Sequence, residues 1–322
     1  MDEGLSDAPS LLSYLHHKNP EAAGYIEAIR GTACEILRGS SLNDFAHSET
    51  VVDRLGELVK GTGSVRLSDI EVFVLLASAY LHDIRKKDAT EPGQDHGALS
   101  ADNIETHTSL KFLFPHDSIK AQVGQVCRAH TWLRAKLSDL DDVAEVTLRR
   151  GHTVWFLKRT IRPRLLAALL MLADELDTMS DRTRAAYAGE AEPRNRIAGV
   201  TIDSAARTIH PSFHRCVSPA DRSHCLDYLE RVLRELRPFL SPHRLDYHLQ
   251  TRRCPPEQDD AAEGAVYEGV SRQPATFPSA PVSAHAKPLS SEELAALLEK
   301  LESARLDQVR AFATPKRKEP ER

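Results

Sequence analysis

The chain has 322 residues, of which 41% are hydrophobic and 28% charged, with 42 Lys and Arg against 47 Asp and Glu. This length allows one large domain with an appendage, or two modest domains. The net charge of −5 argues against a protein that coats polyanions, although it leaves room for a local basic groove. The longest apolar runs are about half the length of a membrane helix. The five cysteines form no CxxC pair, and the N-terminus lacks signal-peptide features, so we expect a cytoplasmic protein without membrane contact.

Most of the first 180 residues place apolar side chains three and four positions apart, which is typical of amphipathic helices. Ser68 and Glu71 have the spacing of a capping box, which predicts that a helix begins there. The full set of predicted helices is Glu21–Arg38, Asp44–Lys60, Ser68–Leu81, Gly97–Phe112, Ser118–Ala129 and Arg162–Met179. Between Ser138 and Phe156, alternating apolar residues flank Arg149-Arg150-Gly151, which indicates a hairpin.

The second half of the chain has a different pattern. Residues 199–213 alternate about a polar turn and precede another amphipathic helix, so strand, strand and helix predict a small α+β appendage. A Pro-, Ser- and Ala-rich stretch follows, and a leucine-faced helix near the C-terminus is predicted to bind a partner protein. The predicted organisation is a helical domain at 1–190, the appendage at 195–254, a disordered linker at 255–288, and the terminal amphipathic helix with a charged tail at 289–322.

Histidine and aspartate residues stand at unusual places in the helical pattern. His82 and Asp83 follow a helix full of apolar residues, and burial of an imidazole beside a carboxylate is costly unless both are bonded. Four more such residues lie at helix ends or inside an apolar stretch: His47, His96, His130 and Asp174. Imidazole and carboxylate ligands from separate helices suit a divalent transition metal.

The order of these residues, His47, then His82-Asp83, then Asp174, resembles the signature of the HD superfamily of metal-dependent phosphohydrolases over roughly residues 40–185. The resemblance implies a mainly α fold, with an HD-domain helical bundle, the small α+β appendage and a flexible C-terminal tail. It implies one or two divalent ions (Mn, Fe, Ni, Co or Zn, with Mg also compatible), of which those four residues bind one. His96 and His130 are placed to serve a second ion, with Asp83 as the bridge.

By the same resemblance, the function is cleavage of a phosphoester of a nucleotide or oligonucleotide by a metal-activated hydroxide. Asp83 and Lys86 are the predicted catalytic residues, and Arg85, Lys86 and Arg182 are the predicted phosphate ligands. The alternative is a nucleotide-sensing regulatory module that acts through a partner protein. Arg85 stands where many HD proteins have glycine, and the motifs of the cyclic-dinucleotide HD-GYP variant are not found, which disfavours that activity.

Other readings of single residues stay open at this point. Asp174 could pair with Arg164 or Arg182 in a buried salt bridge, and Asp177, one helical turn later, either supports the site or is solvated. The histidines could be ordinary helix-end residues. One further group of histidines and cysteines has a spacing that fits no zinc finger or ribbon, so we expect no zinc site there: His214, Cys216, His224 and Cys225.

Overall fold

A computed structural model describes nine segments of the chain up to residue 250. They are 8–38, 42–60, 66–89, 94–110, 112–131, 135–150, 155–177, 197–213 and 218–250. This part is mainly helical with a small sheet component, as predicted. The predicted linker at 255–288, the terminal helix at 289–322 and Arg182 lie outside the described residues. Among the described helices, none has the length and apolar character needed to cross a bilayer.

The N-terminal half consists of four helices, α1 (Leu11–Lys18), α2 (Pro20–Arg38), α3 (Leu42–Val59) and α4 (Asp69–Leu81). Helix α4 is buried from Ile70 to Leu81, because α1, α2, α3 and a later helix, α6, pack around it. A helix covered on all sides is apolar all round, which matches its sequence. It begins at the predicted capping box, in which the Ser68 hydroxyl accepts from Glu71 N and the Glu71 carboxylate accepts from Ser68 N.

The remaining helices of this part follow a 3₁₀ turn at Lys86–Asp88: α5 (His96–Thr106), α6 (Asp117–Ala129), α7 (Ala135–Ser138) and α8 (Pro163–Leu176). Helix α8 is buried from Leu165 to Ala173 and contacts α3, α4 and α6.

Two predicted helix ends were wrong. Helix α5 ends at Thr106 rather than Phe112, because the hydroxyl-rich stretch after it favours a turn, which returns Leu110 to the core. Helix α8 ends at Leu176 rather than Met179, since Asp177 leaves the helical conformation.

A partly buried ion pair joins the beginnings of α4 and α8. Arg162, just before α8, donates from Nε to Glu71 Oε1 at 2.7 Å and from a terminal nitrogen to Glu71 Oε2 at 2.9 Å. Glu71 also accepts from the backbone nitrogen of Arg162. A two-point pair of this kind fixes orientation as well as distance. It therefore holds the helix that precedes His82 against the helix that carries Asp174.

The predicted hairpin is confirmed, with one correction. Strands β1 (Ala144–Arg150) and β2 (Trp155–Ile161) pair antiparallel, from Ala144 opposite Ile161 to Arg150 opposite Trp155. Arg149 and Arg150 therefore belong to the strand, and the connection falls at 151–154, outside the described residues. Val146 and Ile161 are buried and attach the base of the hairpin to the helices.

The predicted strand–strand–helix appendage is present as β3 (Ile197–Asp203), β4 (Thr208–Phe213) and α9 (Pro219–Leu240). A short strand that the sequence did not predict, β5 (His248–Leu249), pairs parallel to β4. Helix α9 packs on α8, and the Tyr247 hydroxyl donates to the Leu58 carbonyl of α3. The described residues all belong to one compact unit, so the division near residue 190 stays a prediction.

Candidate metal centre

Asp83 lies at the centre of a buried cluster of imidazoles. Its Oδ2 atom is 3.5 Å from His47 Nε2 and 3.6 Å from His82 Nε2. Its Oδ1 atom is 3.3 Å from His96 Nε2 and 3.6 Å from His130 Nε2. One carboxylate therefore presents one oxygen to each of two histidine pairs, an arrangement suited to bridging two cations.

The first group consists of His47, His82 and Asp174, from α3, the end of α4 and α8. His47 Nε2 is 2.9 Å from Asp174 Oδ1 and 3.2 Å from His82 Nε2, while His82 Nε2 is 3.7 Å from Asp174 Oδ1. The structure thus brings residues separated by more than a hundred positions to within one metal's reach, since possible ligand atoms of this trio lie within 4.8 Å of one another.

The second group consists of His96 and His130 around Asp83 Oδ1. His96 is the first residue of α5, and His130 is the C-cap of α6. Their ring centroids are 5.1 Å apart, and the His130 ring lies 4.8 Å from that of His82. His82, Asp83 and His130 also satisfy the distances of a metal-binding trio. The two groups are therefore contiguous, with His82 and Asp83 between them.

The hydrogen bonds on the far side of each ring fix which nitrogen faces the centre. His82 Nδ1 donates to the Ala79 carbonyl at 2.9 Å, and His130 Nδ1 donates to the Cys127 carbonyl at 2.5 Å. His47 Nδ1 donates to the buried Asp177 carboxylate. Because these oxygens are the acceptors, each Nδ1 carries a proton and each Nε2 keeps its lone pair for the centre. This is how histidine ligands of metals are usually held.

These donor atoms are better satisfied by a divalent cation among them than by contacts with one another. Two Nε2 lone pairs 3.2 Å apart, with a carboxylate oxygen 2.9 Å away, repel one another unless positive charge lies among them. A proton on His47 Nε2 would give Asp174 a hydrogen-bond donor, but it would leave His130 Nε2 without a partner. Within the described part of the chain, the buried His130 Nε2 makes no hydrogen bond. Mixed imidazole and carboxylate donors match Mn, Fe, Co, Ni or Zn.

Both central carboxylates carry negative charge. Burial raises the pKa of Asp83, but the Lys86 ammonium and His82 outweigh it and hold that pKa well below its usual range. Burial acts in the same direction on Asp174, but the neighbouring imidazoles of His47 and His82 outweigh it and hold its pKa well below the usual range. Both carboxylates are therefore ionised at neutral pH, as ligands of a divalent cation must be.

The predicted phosphate ligands are placed differently. Lys86 Nζ donates to Asp83 Oδ2 at 2.8 Å, and its side chain is 36% exposed. Arg85 instead forms an ion pair with the exposed Asp88. The cluster opens to solvent beside Lys86, at His96 (26% exposed) and Asp174 (17%), whereas the side chains of His47, His82, Asp83 and His130 are at most 4% exposed.

Several alternatives left open by the sequence are now decided. Arg164 pairs with Asp142 and with carbonyls of the α7 region rather than with Asp174. Asp177 is fully buried against His47 rather than solvated. Of the four residues of the rejected zinc cluster, His224 is exposed and Cys225 is buried on α9, and His214 and Cys216 lie outside the described residues.

Sequence reasoning missed three polar residues beside the second group. Asp95 precedes His96, Thr131 follows His130, and Lys136 is the second residue of α7. All three are joined by hydrogen bonds. The sequence signal available was that Asp95 and Thr131 are adjacent to the two histidines. Adjacency does not reveal that Asp95 bonds to Thr131, 36 positions later, or to Lys136, 41 positions later.

A mainly helical fold with a buried histidine–aspartate centre that could hold metal is the arrangement of an HD-type protein. The family model HD-CE matches residues 37–238, which is more than half of the chain. The chain belongs to the HD-CE family. The matched range extends from the end of α2 to the end of α9 and includes both groups of the centre. Searches of curated proteins and of solved structures gave no match to this chain.

Proposed function

We propose that this protein is a metal-dependent phosphohydrolase that cleaves a phosphoester of a nucleotide or oligonucleotide. One observation carries the proposal: Asp83 presents a separate oxygen to each of two histidine pairs. Cations about 3.5–4 Å apart are the usual arrangement for in-line displacement at phosphorus. A purely structural metal site needs one ion and a closed set of ligands, whereas this cluster has a wider set and an opening to solvent.

The first group would hold one divalent transition-metal ion through His47, His82 and Asp174, and the second would hold another through His96 and His130. Asp83 would contribute to both. When bound, such ions supply a water of lowered pKa for attack on phosphorus and withdraw charge from the phosphoryl oxygens.

The chain's own residues orient and charge this centre. Three carboxylate or carbonyl acceptors hold the imidazoles with Nε2 toward the centre, and the surrounding apolar helices exclude bulk water. Lys86 lies at the opening, with its ammonium on Asp83. A phosphate that enters beside His96 offers Lys86 a second acceptor, so this side chain would hold the substrate phosphate and stabilise charge that develops on it.

The alternative is a module that binds a nucleotide and signals through a partner. The complete set of donors favours the enzyme, because nucleotide recognition alone does not require two histidine pairs around one carboxylate. Turnover separates the two functions directly.

The test is phosphate release from a panel of nucleotides and short oligonucleotides by protein dialysed against Mn²⁺, with bound metal measured by elemental analysis. Asp83→Asn keeps the shape but removes the charge, so it should bind less metal and show no turnover. Lys86→Ala should keep its metal and lose roughly tenfold to a hundredfold in kcat/KM, equivalent to about 1–3 kcal/mol. His224→Ala, an exposed histidine of α9, is the matched control and should behave as wild type. Wild-type turnover in Asp83→Asn would refute the proposal, and nucleotide binding without turnover by metal-loaded protein would favour the module.

A further inference from the structure

The two histidines of the second group stand on weaker supports than those of the first. His82 ends a helix that is buried along its whole length, but His96 begins α5, which has only four buried residues. His130 lies beyond the last turn of α6. Helix ends fray unless other groups hold them. Polar contacts at these helix ends therefore add to the packing of α5 on α6 in setting the distance between the two imidazoles.

Three partly buried polar side chains connect the ends of α5, α6 and α7 at this point. Asp95 is the N-cap of α5, and its Oδ1 accepts from Ala98 N at 3.1 Å and from Thr131 Oγ1 at 2.6 Å. Its Oδ2 forms an ion pair with Lys136 Nζ. Lys136 Nζ also lies 3.1 Å from Thr131 Oγ1 and donates to the Arg128 carbonyl at 3.4 Å. We call Asp95, Thr131 and Lys136 the clasp.

The clasp acts on the histidines through single peptide bonds. Asp95 immediately precedes His96, and Thr131 immediately follows His130, so the 2.6 Å bond between them ties the two neighbours of the imidazoles together. Lys136, on α7, places its ammonium group beside both partners of this bond. Lys136 also donates to the Arg128 carbonyl, which is one of the last carbonyls of α6 and has no partner within the helix.

The structure assigns to the clasp a positioning role: it holds His96 and His130 at the separation required by a second divalent ion. This inference rests on the proposed function, because it presupposes an ion between these histidines and Asp83. It adds residues that touch neither the ion nor the substrate. An ordinary stabilising role predicts that a variant loses stability without a selective change in one ion, whereas the positioning role predicts loss of the second ion alone.

The chain offers variants that separate these roles. Asp95→Asn keeps a good N-cap and an acceptor for Thr131 but removes the charge opposite Lys136. Lys136→Met removes the ammonium and keeps the apolar stem, whereas Lys136→Arg retains a positive charge at this position. Glu145→Gln breaks the exposed pair with Lys158 on the hairpin, with atoms 2.9 Å apart, and serves as the control.

The experiment is equilibrium dialysis of the full-length protein against Mn²⁺ over a range of free concentrations, with circular dichroism to confirm helicity. We expect two ions per chain in wild type, Glu145→Gln and Lys136→Arg. In Asp95→Asn and Lys136→Met, we expect the affinity for the second ion to fall at least about tenfold while that for the first stays within a factor of two. Equal binding of two ions by wild type and both variants would overturn the clasp alone. A single ion in wild type would overturn the clasp and also the two-ion arrangement on which the proposed function rests. Absence of any bound ion in wild type would instead overturn the proposed function.

Discussion

Gly97, the second residue of α5, should be unusually sensitive to the addition of a single methyl group. A Cβ atom at this position would lie 2.7 Å from the Cys127 carbonyl oxygen and 2.8 Å from Thr131 Cγ2. The first of these atoms belongs to the backbone of α6, and the second belongs to a side chain that the clasp already holds. Neither atom can move away without moving the structure that holds it. Gly97→Ala must therefore move α5 relative to α6.

The size of the shift follows from these distances. Ordinary van der Waals contact begins near 3.4 Å, so a contact of 2.7 Å requires displacement by about 0.7 Å. Overpacking of this kind costs about 1–3 kcal/mol, and the better helix propensity of alanine offsets up to about 1 kcal/mol. Metal–ligand distances tolerate only about 0.2 Å. Because His96 would move with α5, the second ion should be lost before the fold is.

The assay combines urea unfolding with Mn²⁺ dialysis of the same variant. We expect Gly97→Ala to lower the free energy of unfolding by about 1–2 kcal/mol and to bind one ion instead of two. Gly124→Ala on α6 is the control, because its Cβ would meet its nearest neighbours at 3.8 Å, which is ordinary contact. That variant should be as stable as wild type or slightly more so. A Gly97→Ala protein with wild-type stability and two bound ions would refute the close-packing argument.

Three further results are expected. Asp177→Asn keeps an acceptor for His47 Nδ1 but loses the charge, so metal affinity measured by chelator competition should fall roughly tenfold to a hundredfold; unchanged affinity would mean that the carboxylate only fills space. Glu71→Gln removes the charge opposite Arg162 and should cost about 1–3 kcal/mol in urea unfolding, since Arg162 is a quarter exposed and can still reach water. Burial raises the pKa of Asp95, but bonds from Lys136 and others lower it to about 2, so its stabilisation is complete above an unfolded pKa of about 3.9 and disappears as the pH falls through 2. The difference in melting temperature between wild type and Asp95→Asn should accordingly shrink between about pH 4 and pH 2, and a constant difference would exclude this carboxylate as its source.

The parts of this structure that were predictable depend on local pattern. The apolar run before His82 marks a helix, and the capping box at Ser68 marks where it begins; both are present. The alternation around residues 146 and 202 marks strands, which pair as hairpins. A histidine and an aspartate directly after a largely apolar helix must lie near the core, and they do. In each case, the sequence signal and the structural feature fall within one helix or one hairpin.

The features that escaped prediction depend on contacts between distant segments. Asp177 was ambiguous because its burial depends on His47, 130 positions earlier. The clasp joins Asp95 to Lys136 across 41 positions, and each residue alone resembles an ordinary capping or surface side chain. Strand β5 is two residues long and pairs parallel to β4, so it has no periodicity to detect. Helix α5 ends early because the hydroxyl side chains after it favour a turn. That turn is stabilised by burial of Leu110 in the core, which local pattern does not show.

The two histidine groups are supported by different physical means, and this bears on how the centre could work. The first group stands on α3, α4 and α8, which are buried over long stretches and joined by the Glu71–Arg162 pair. Its geometry is therefore as rigid as the core. The second group stands on helix ends held by polar bonds of partly exposed side chains, and His96 borders the opening to solvent. Polar bonds near water exchange partners at lower cost than apolar packing rearranges. Under the proposed function, adjustment of the centre to an entering phosphate should therefore occur at His96 and Lys86, with His47, His82 and Asp174 as the fixed side.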